Sequence, residues 1–527
     1  LKSLHENPIP SPVRALLAGM LAVLLTACSV GPDYRAPRTD LAAPAWHDLT
    51  VAREPDAQSS PVATDTDPDP RWWTRFGDPT LDMLIERARA GNIDLQQAVL
   101  RIAEARAQLQ AALAQGLPNL RANASYMREQ LGIKGLLESN GVYDQVDRLA
   151  APDSPINAVS PGTGPVIRDR ALGALGGLTS PVNLWQAGFD ASWELDLFGR
   201  VRRSVESAHA VVAAARESRN DALLSLEAEV AQTYIQLRGA QAARAIAAQL
   251  IDDAHTSVAL LHSQAAVGLA SALDLEQGEA QARQLEAQLP PLDAQIAQAA
   301  NGLALLVGEQ PGALDAWVLA PHDVPPVPPR VPVGLPSTLA RRRPDIREAE
   351  AQLHAATANV GVAVAQFYPD ITLTGQIGTR ATNASDLARW SHLFYSFGPS
   401  ISLPIFSGGA LRANLALADA RQAQAALAYR RAVLVALRDV DNALAVYRTD
   451  LTHRDALAQS VAAQQRAYAL ARNRYESGMA SYAVVLDTER QLDQARQQYV
   501  QATTQLSTDL VALYKALGGG WENADGA

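Results

Sequence analysis

Apolar positions in this sequence follow two periods, and the two alternate in the same order twice. Each half opens on an Ala/Gln-rich segment with helical spacing, residues 94–115 and 345–366, ended near Pro118 or Pro369. Short segments of period two follow. Ile371, Leu373, Gly375 and Ile377 alternate with Thr372, Thr374 and Gln376, and Ile401, Leu403 and Ile405 alternate with Ser402 and Pro404. In the first half Phe189, Ala191, Trp193, Leu195 and Leu197 alternate with small and acidic residues. Period two predicts strands, about four in all. A very long helix is predicted next, from near Arg200 or Ala410 to about Ala266 or Glu476, with no internal proline. Its apolar steps of three and four (Leu223, Leu226, Val230, Thr233, Leu237; then Ala247, Leu250, Ala254, Ser257, Leu261) suit helices packed side by side. Roughly 65 residues at 1.5 Å each give ~100 Å. A turn at Gly268 or Gly478 leads into a returning helix, residues 272–306 or 482–517, and Pro290-Pro291 interrupts the first of these.

The halves are copies of one another. Asp94 aligns with Asp345, and Pro118 with Pro369, at an offset of 251. Downstream, Glu229-Val230 to Arg238 aligns with Asp439-Val440 to Arg448 at an offset of 210. Val267-Gly268-Leu269-Ala270-Ser271 matches Ser477-Gly478-Met479-Ala480-Ser481 at that same offset, and Gly308 matches Gly518. The first half therefore carries 41 extra residues between its first two strands, with Gly/Pro-rich runs such as Ser160-Pro161-Gly162-Thr163-Gly164-Pro165. This insertion reads as a long loop at the hairpin end opposite the helices. A Pro-rich linker, residues 310–336, joins the halves and is expected to be extended rather than packed. The same is expected of residues 36–70.

Composition narrows the class. The 527 residues are 48% hydrophobic and 19% charged with a net charge of −10, a balance unlike the basic face that nucleic acid requires. With only 7 Phe, 13 Tyr and 8 Trp, a chain made mostly of sheet is not expected. The fold class is mainly α with a small β part. The single Cys forbids a disulfide framework. It sits at Cys28, after Leu25-Thr26-Ala27 and the apolar run of residues 15–27. Thirteen residues span ~20 Å as a helix, short of a ~30 Å bilayer core, so the run reads as a signal peptide. The ending resembles a bacterial lipobox, which implies cleavage before Cys28 and lipid on its thiol; Ser29, rather than Asp, suits outer-membrane delivery. The chain opens on Leu1, so the start is expected at a non-ATG codon or upstream. Elsewhere no apolar run approaches ~20 residues, and a membrane crossing would have to be a closed β-barrel. Four strands cannot close one, since the smallest common barrels have eight. An oligomer is required, and sequence alone does not set its number.

The expected segments are a signal peptide (1–27), an extended N-terminal segment (28–93), a first repeat (94–309), the linker (310–340), a second repeat (341–518) and a tail (519–527). Several motifs in this order resemble TolC-type outer-membrane efflux lipoproteins of the NodT/OprM branch. They are Trp72-Trp73 with Phe76-Gly77-Asp78-Pro79, Trp193-Glu194-Leu195-Asp196-Leu197-Phe198-Gly199-Arg200, and Arg342-Arg343-Pro344-Asp345-Ile346-Arg347 with Ala349-Glu350. Phe367-Tyr368-Pro369, Tyr475-Glu476-Ser477-Gly478 with Leu486-Asp487, and Leu513-Tyr514-Lys515-Ala516-Leu517-Gly518-Gly519-Gly520-Trp521 complete the set.

The resemblance implies a homotrimer with a twelve-stranded transmembrane β-barrel, four strands per chain, in the outer membrane. It continues into a long periplasmic α-helical barrel with an equatorial belt built from the linker and terminal segments. It also implies a passive gated duct that docks a periplasmic adaptor (a membrane fusion protein) and an inner-membrane RND-type transporter. Carried over motif by motif, the periplasmic gate falls at Asp487 and Asp274, with Tyr475 beside it. The two acids are three positions apart in the repeat, ~4.5 Å along a helix. The family's apolar ring falls at Ala483, whose small side chain leaves tight sealing either lost or moved to Leu486. The adaptor-contact tips fall at Gly268, Leu269, Ala270, Gly478, Met479 and Ala480. No cofactor or metal is implied beyond covalent lipid on Cys28.

No G-x-S-x-G, H-E-x-x-H or Walker loop is present, so an enzyme is not expected. Type I protein secretion and heavy-metal efflux are rival duties for such a duct, and 4 Met argue against a Met-lined copper path. A lipid-anchored coiled-coil spacer is the non-channel alternative, but a spacer has no use for four strands.

Overall fold

The structure, a computed structural model, describes residues 29–37, 45–51, 62–63, 66, 69–130 and 132–522. The signal peptide and Cys28 lie outside the described residues. Helices make up 69% of the described residues, and the sheets are small. In chain order the first part holds α1 (His47–Val51), β1 (Val62–Ala63), α2 (Pro79–Gly91), α3 (Ile93–Gln115), β2 (Asn119–Glu129), α4 (Ile133–Ser139), α5 (Val142–Arg148), α6 (Pro155–Val159) and α7 (Thr163–Thr179). There follow β3 (Val182–Glu194), α8 (Arg200–Ala266), α9 (Ala272–Glu286), α10 (Leu289–Val307), α11 (Asp315–Val318) and β4 (Val331–Pro332). The second repeat holds α12 (Leu339–Arg342), α13 (Pro344–Ala365), β5 (Asp370–Ala381), β6 (Leu393–Ser402), α14 (Ala410–Glu476) and α15 (Tyr482–Leu517). Among the described residues, no helix is long and apolar enough to cross a membrane. The chain divides into two compact units, and each repeat contributes to both.

The first unit is built on Ala111–Arg203 and Gly361–Arg412. Its sheet has four antiparallel strands in the order β2-β3-β5-β6. Glu129 faces Val182, Trp185 faces Ala381, and Thr379 faces Leu393, so the β2–β3 and β5–β6 connections share one end of the sheet. Tyr126, Phe189, Tyr395, Phe397 and Ile401 are exposed, and every residue of β2 is exposed. The strand ends differ from the sequence expectation. Leu195 and Leu197 lie past β3, and Leu403 and Ile405 lie past β6. Pro404 has no N–H to extend the ladder, and the Leu195–Gly199 stretch is a turn. There the Asp196 carboxylate accepts from the Arg202 backbone N–H at 2.8 Å, and Glu194 pairs with Arg200. Gly199 closes the turn at φ +86°, and a Cβ there would meet the Cα of Ser29 at 3.0 Å and its Oγ at 2.8 Å. Gly199→Ala is expected to cost about 1–3 kcal/mol from the left-handed backbone and that contact, read as a lower thermal midpoint. An unchanged midpoint would show that neither the left-handed backbone nor the Ser29 contact holds at this turn.

The 41 extra residues are not an open loop. They fold into α4–α7, because the glycines and prolines act as helix boundary signals. The Ser154 hydroxyl caps α6 by accepting from the Asn157 N–H, with Pro155 in the first turn. Asn157 then ties the pieces together: its amide donates to the Ala151 carbonyl at 3.0 Å and accepts from the Gly164 N–H at 2.9 Å.

The second unit is helical. Helices α8 and α14 are 67 residues each, ~100 Å. Leu223, Leu226, Val230, Leu237, Ala247, Leu250, Ala254 and Leu261 are all buried, as the three-four spacing predicts. The returning limb breaks between α9 and α10, where Pro290 and Pro291 sit in the first turn of α10; α15 has no proline and runs unbroken. The linker corrects its expectation. It is extended in part, but it packs: β4 pairs in parallel with β1, and Val318, Val331 and Val333 are buried. The Trp46 indole donates to the Gly334 carbonyl at 2.9 Å. The Trp72 ring stacks on Tyr514 at 5.3 Å, and the Trp521 indole donates to the Arg342 carbonyl at 2.8 Å. The aromatic ends of the chain therefore brace the helices.

Candidate functional site

The candidate site is the pair of helical turns, α8 to α9 and α14 to α15, both in the helical unit. The two turns are built alike because the sequence repeat is exact in backbone terms. The Leu269 N–H donates to the Gln264 carbonyl and the Gly268 N–H to that of Ala265; Met479 and Gly478 do the same with Arg474 and Tyr475, at 2.8–3.0 Å. This closure satisfies the last carbonyls of a helix and needs a left-handed residue. Gly268 (φ +75°) and Gly478 (φ +71°) supply it, each with open space where a Cβ would stand. Backbone conformation, not crowding, calls for glycine here.

Side chains at the tips are apolar and open. Leu269 is 79% and Met479 67% exposed, and Val267 and Leu273 are exposed beside them. Ala270 and Ala480 are half-buried at the base. Below the turns the halves diverge. Ser271 and Asp274 form a reciprocal cap: the Ser271 hydroxyl accepts from the Asp274 N–H, and the Asp274 carboxylate accepts from the Ser271 N–H at 3.1 Å. Ser481 makes no such cap, because its third residue on is Val484. Asp274 is thus partly occupied as a helix cap. Asp487 is exposed, and its carboxylate accepts from the Gln491 amide at 2.9 Å along the same helix.

The Tyr475 hydroxyl donates to the Gln264 side chain at 2.6 Å, joining α14 to α8. Its ring meets Tyr482 edge to face at 5.6 Å. Burial, and then the nearby Asp274 charge, raise the Tyr475 hydroxyl above the ordinary tyrosine value. Ala483 is exposed. Of the two alternatives for the apolar ring, burial speaks against Leu486. Leu486 is 5% exposed, packed with Leu261, Tyr482 and Val485. A side chain already buried within one chain has no apolar face left for another copy. Val484, beside Ala483, is the larger open apolar side chain at this level of α15.

Two further residues escaped the sequence reading. Glu489 and Asp493 lie on the buried face of α15, each 6% exposed, and neither Asp493 oxygen has a hydrogen-bond partner. They line a pocket with Asp253 of α8, Tyr468 and Arg472 of α14, and Arg496. Burial, then repulsion from Asp493 and Asp253, pushes Glu489 up to about 7 against the pull of Arg472 and Arg490. Burial, with Asp253 opposing the pull of Arg496, pushes Asp493 up to about 6. The signal was present: Leu486, Glu489 and Asp493 continue the three-four step that marks the core stripe.

Residues 84–309 and 335–519 match the model of a family described as outer membrane efflux protein. The chain is 32% identical over 512 residues to outer membrane protein OprJ of Pseudomonas aeruginosa, with 97% of each chain covered. It is 31% identical over 513 residues to cation efflux system protein CusC of Escherichia coli, covering 96% of this chain and 99% of that one. The solved structure of the outer-membrane channel OprN is similar with a TM-score of 0.78 and 33% identity, covering 94% of this chain and all of that one.

Proposed function

The chain belongs to the outer membrane efflux protein family, an outer-membrane protein of an efflux system, and from that premise we propose that three copies close one duct. The observation that carries the reading is the sheet. Four strands leave β2 and β6 as edges, with exposed aromatics across the strands. Open edges and bare apolar faces are costly in water. Joining β6 of one copy to β2 of the next removes every edge, and lipid covers the outer face. Threefold repetition gives twelve strands, an even number within the range of such barrels. The α8/α9 and α14/α15 hairpins then form the periplasmic tunnel, and lipid on Cys28 anchors the chain.

In this reading the tips are the inner mouth. Leu269 and Met479 offer apolar contact to a periplasmic adaptor, with Gly268, Ala270, Gly478 and Ala480 shaping the turns. An RND-type inner-membrane transporter supplies small molecules and chooses the cargo. Asp487 and Asp274 form acidic rings that line the mouth and bind cations; Tyr475 ties α14 to α8, and Ala483 leaves room that Val484 partly fills. Liposome conductance of the purified protein tests this. Asp487→Ala with Asp274→Ala is expected to raise conductance and weaken block by divalent cations. Because Asp274 also caps α9, the single Asp487→Ala should show the larger part. No conductance in any variant would remove the channel; conductance unchanged by either substitution would remove the acids from the gate.

A further inference from the structure

The end of the sheet that carries Glu129, Val182, Ala381 and Leu393 holds two unlike structures at its two edges. On the β2 side stands the insertion α4–α7. It is tied at its root, where the Gln130 amide donates to the Thr179 carbonyl at 3.4 Å. Its own polar hub at Asn157 keeps it folded, yet Leu136, Val159, Val166 and Leu178 remain 50–88% exposed. On the β6 side stands the β5–β6 connection, residues 382–392. Two short 3-10 turns, Ala384–Ala388 and Trp390–His392, order it. Trp390 at its crest is 84% exposed. Among the described residues, nothing within one chain covers these apolar side chains.

Neighbouring strands lie about 4.8 Å apart, so consecutive hairpins in a closed ring stand ~10 Å apart. Each insertion would therefore have two β5–β6 connections within reach. One is its own, which leaves Trp390 bare. The other belongs to the adjoining copy, brought in when β6 of that copy pairs with β2 of this one. We propose that Trp390 of one copy packs onto the exposed apolar side chains of the α4–α7 insertion of the next. Three such contacts form a collar at the end of the barrel that carries the β2–β3 and β5–β6 connections. The occupant is a second copy of this chain, because the two surfaces flank the two unpaired edges and share one end. A tryptophan buries more area than any other side chain and commonly anchors an interface. The collar rests on the ring closure proposed above and adds to it a contact that the strands do not need.

Cysteine pairs test it. Trp390→Cys on one population of chains and Leu178→Cys or Val166→Cys on another, co-expressed and treated with a short bismaleimide, are expected to give dimers on a denaturing gel. Each variant alone is the control for Cys28. Separate populations exclude a bridge within one chain. In addition, Trp390→Ala should leave the assembly intact at room temperature but lower the temperature at which it falls apart in detergent. Absence of dimers from every pair, with light scattering still showing trimers, would overturn the collar and leave the ring standing; Trp390 would then face lipid headgroups. Monomers by light scattering would overturn both. An unchanged dissociation temperature in Trp390→Ala would also count against the collar.

Discussion

Amide exchange across residues 482–493 should speed up between pH 5 and pH 8 by more than intrinsic chemistry accounts for. The cause is the pair Glu489 and Asp493. Burial lifts them to about 7 and about 6 in the folded chain, from ordinary values near 4.5 and 3.8. The folded state thus holds protons that the unfolded state has released. Stability is full below about pH 4 and is lost as pH rises through 6 and then 7. Each pKa unit is worth 1.36 kcal/mol, and with a discount for solvent screening the two shifts are worth about 3–5 kcal/mol together. At 3 kcal/mol the local opening equilibrium changes on the order of 100-fold. Asp253 opposes the charged form from α8; Arg472, Arg490 and Arg496 favour it. Glu489→Gln with Asp493→Asn should flatten the pH dependence and raise protection at pH 8. A wild-type profile already flat would show that the pair stays ionised throughout. Since α15 carries Asp487 two residues before Glu489, the same change would loosen the helix that bears the proposed gate.

Leu269→Glu together with Met479→Glu should reduce efflux in cells to near the level of an empty vector. Both side chains are exposed in the single chain, so their replacement leaves folding largely untouched. Each buried apolar side chain contributes ~1.5–3 kcal/mol to a contact. Three copies of both tips multiply that loss, and six new carboxylates add desolvation cost to docking. Conductance of the purified variant in liposomes should remain at the wild-type value, which separates a docking defect from a broken duct. Retained efflux would move the adaptor contact away from the turns.

Local rules carried far along this chain because its elements are long and repeated. The limits of α8 and α14 are legible from proline spacing and glycine position, and their core stripe from steps of three and four. The turns at Gly268 and Gly478 are legible twice over, since one sequence pattern occurs at both. The insertion was misread because glycine and proline mark helix boundaries as readily as loops, and only Ser154 and Asn157 in contact with their partners decide between these. The burial of Leu486 is illegible in the sequence for a related reason. Two residues along a helix, about 200° of rotation, separate the exposed Val484 from the buried Leu486.

By itself the sequence determined the helix lengths, the twofold repeat, the four strands and the tips. These follow from periodicity and backbone sterics, which act over a few residues. Tertiary structure alone decided which acids are buried, that the linker packs, and which strand edges stay open. Desolvation and edge pairing depend on what lies across space from a residue. Glu489 meets Asp253 and Arg472 only after three helices have come together.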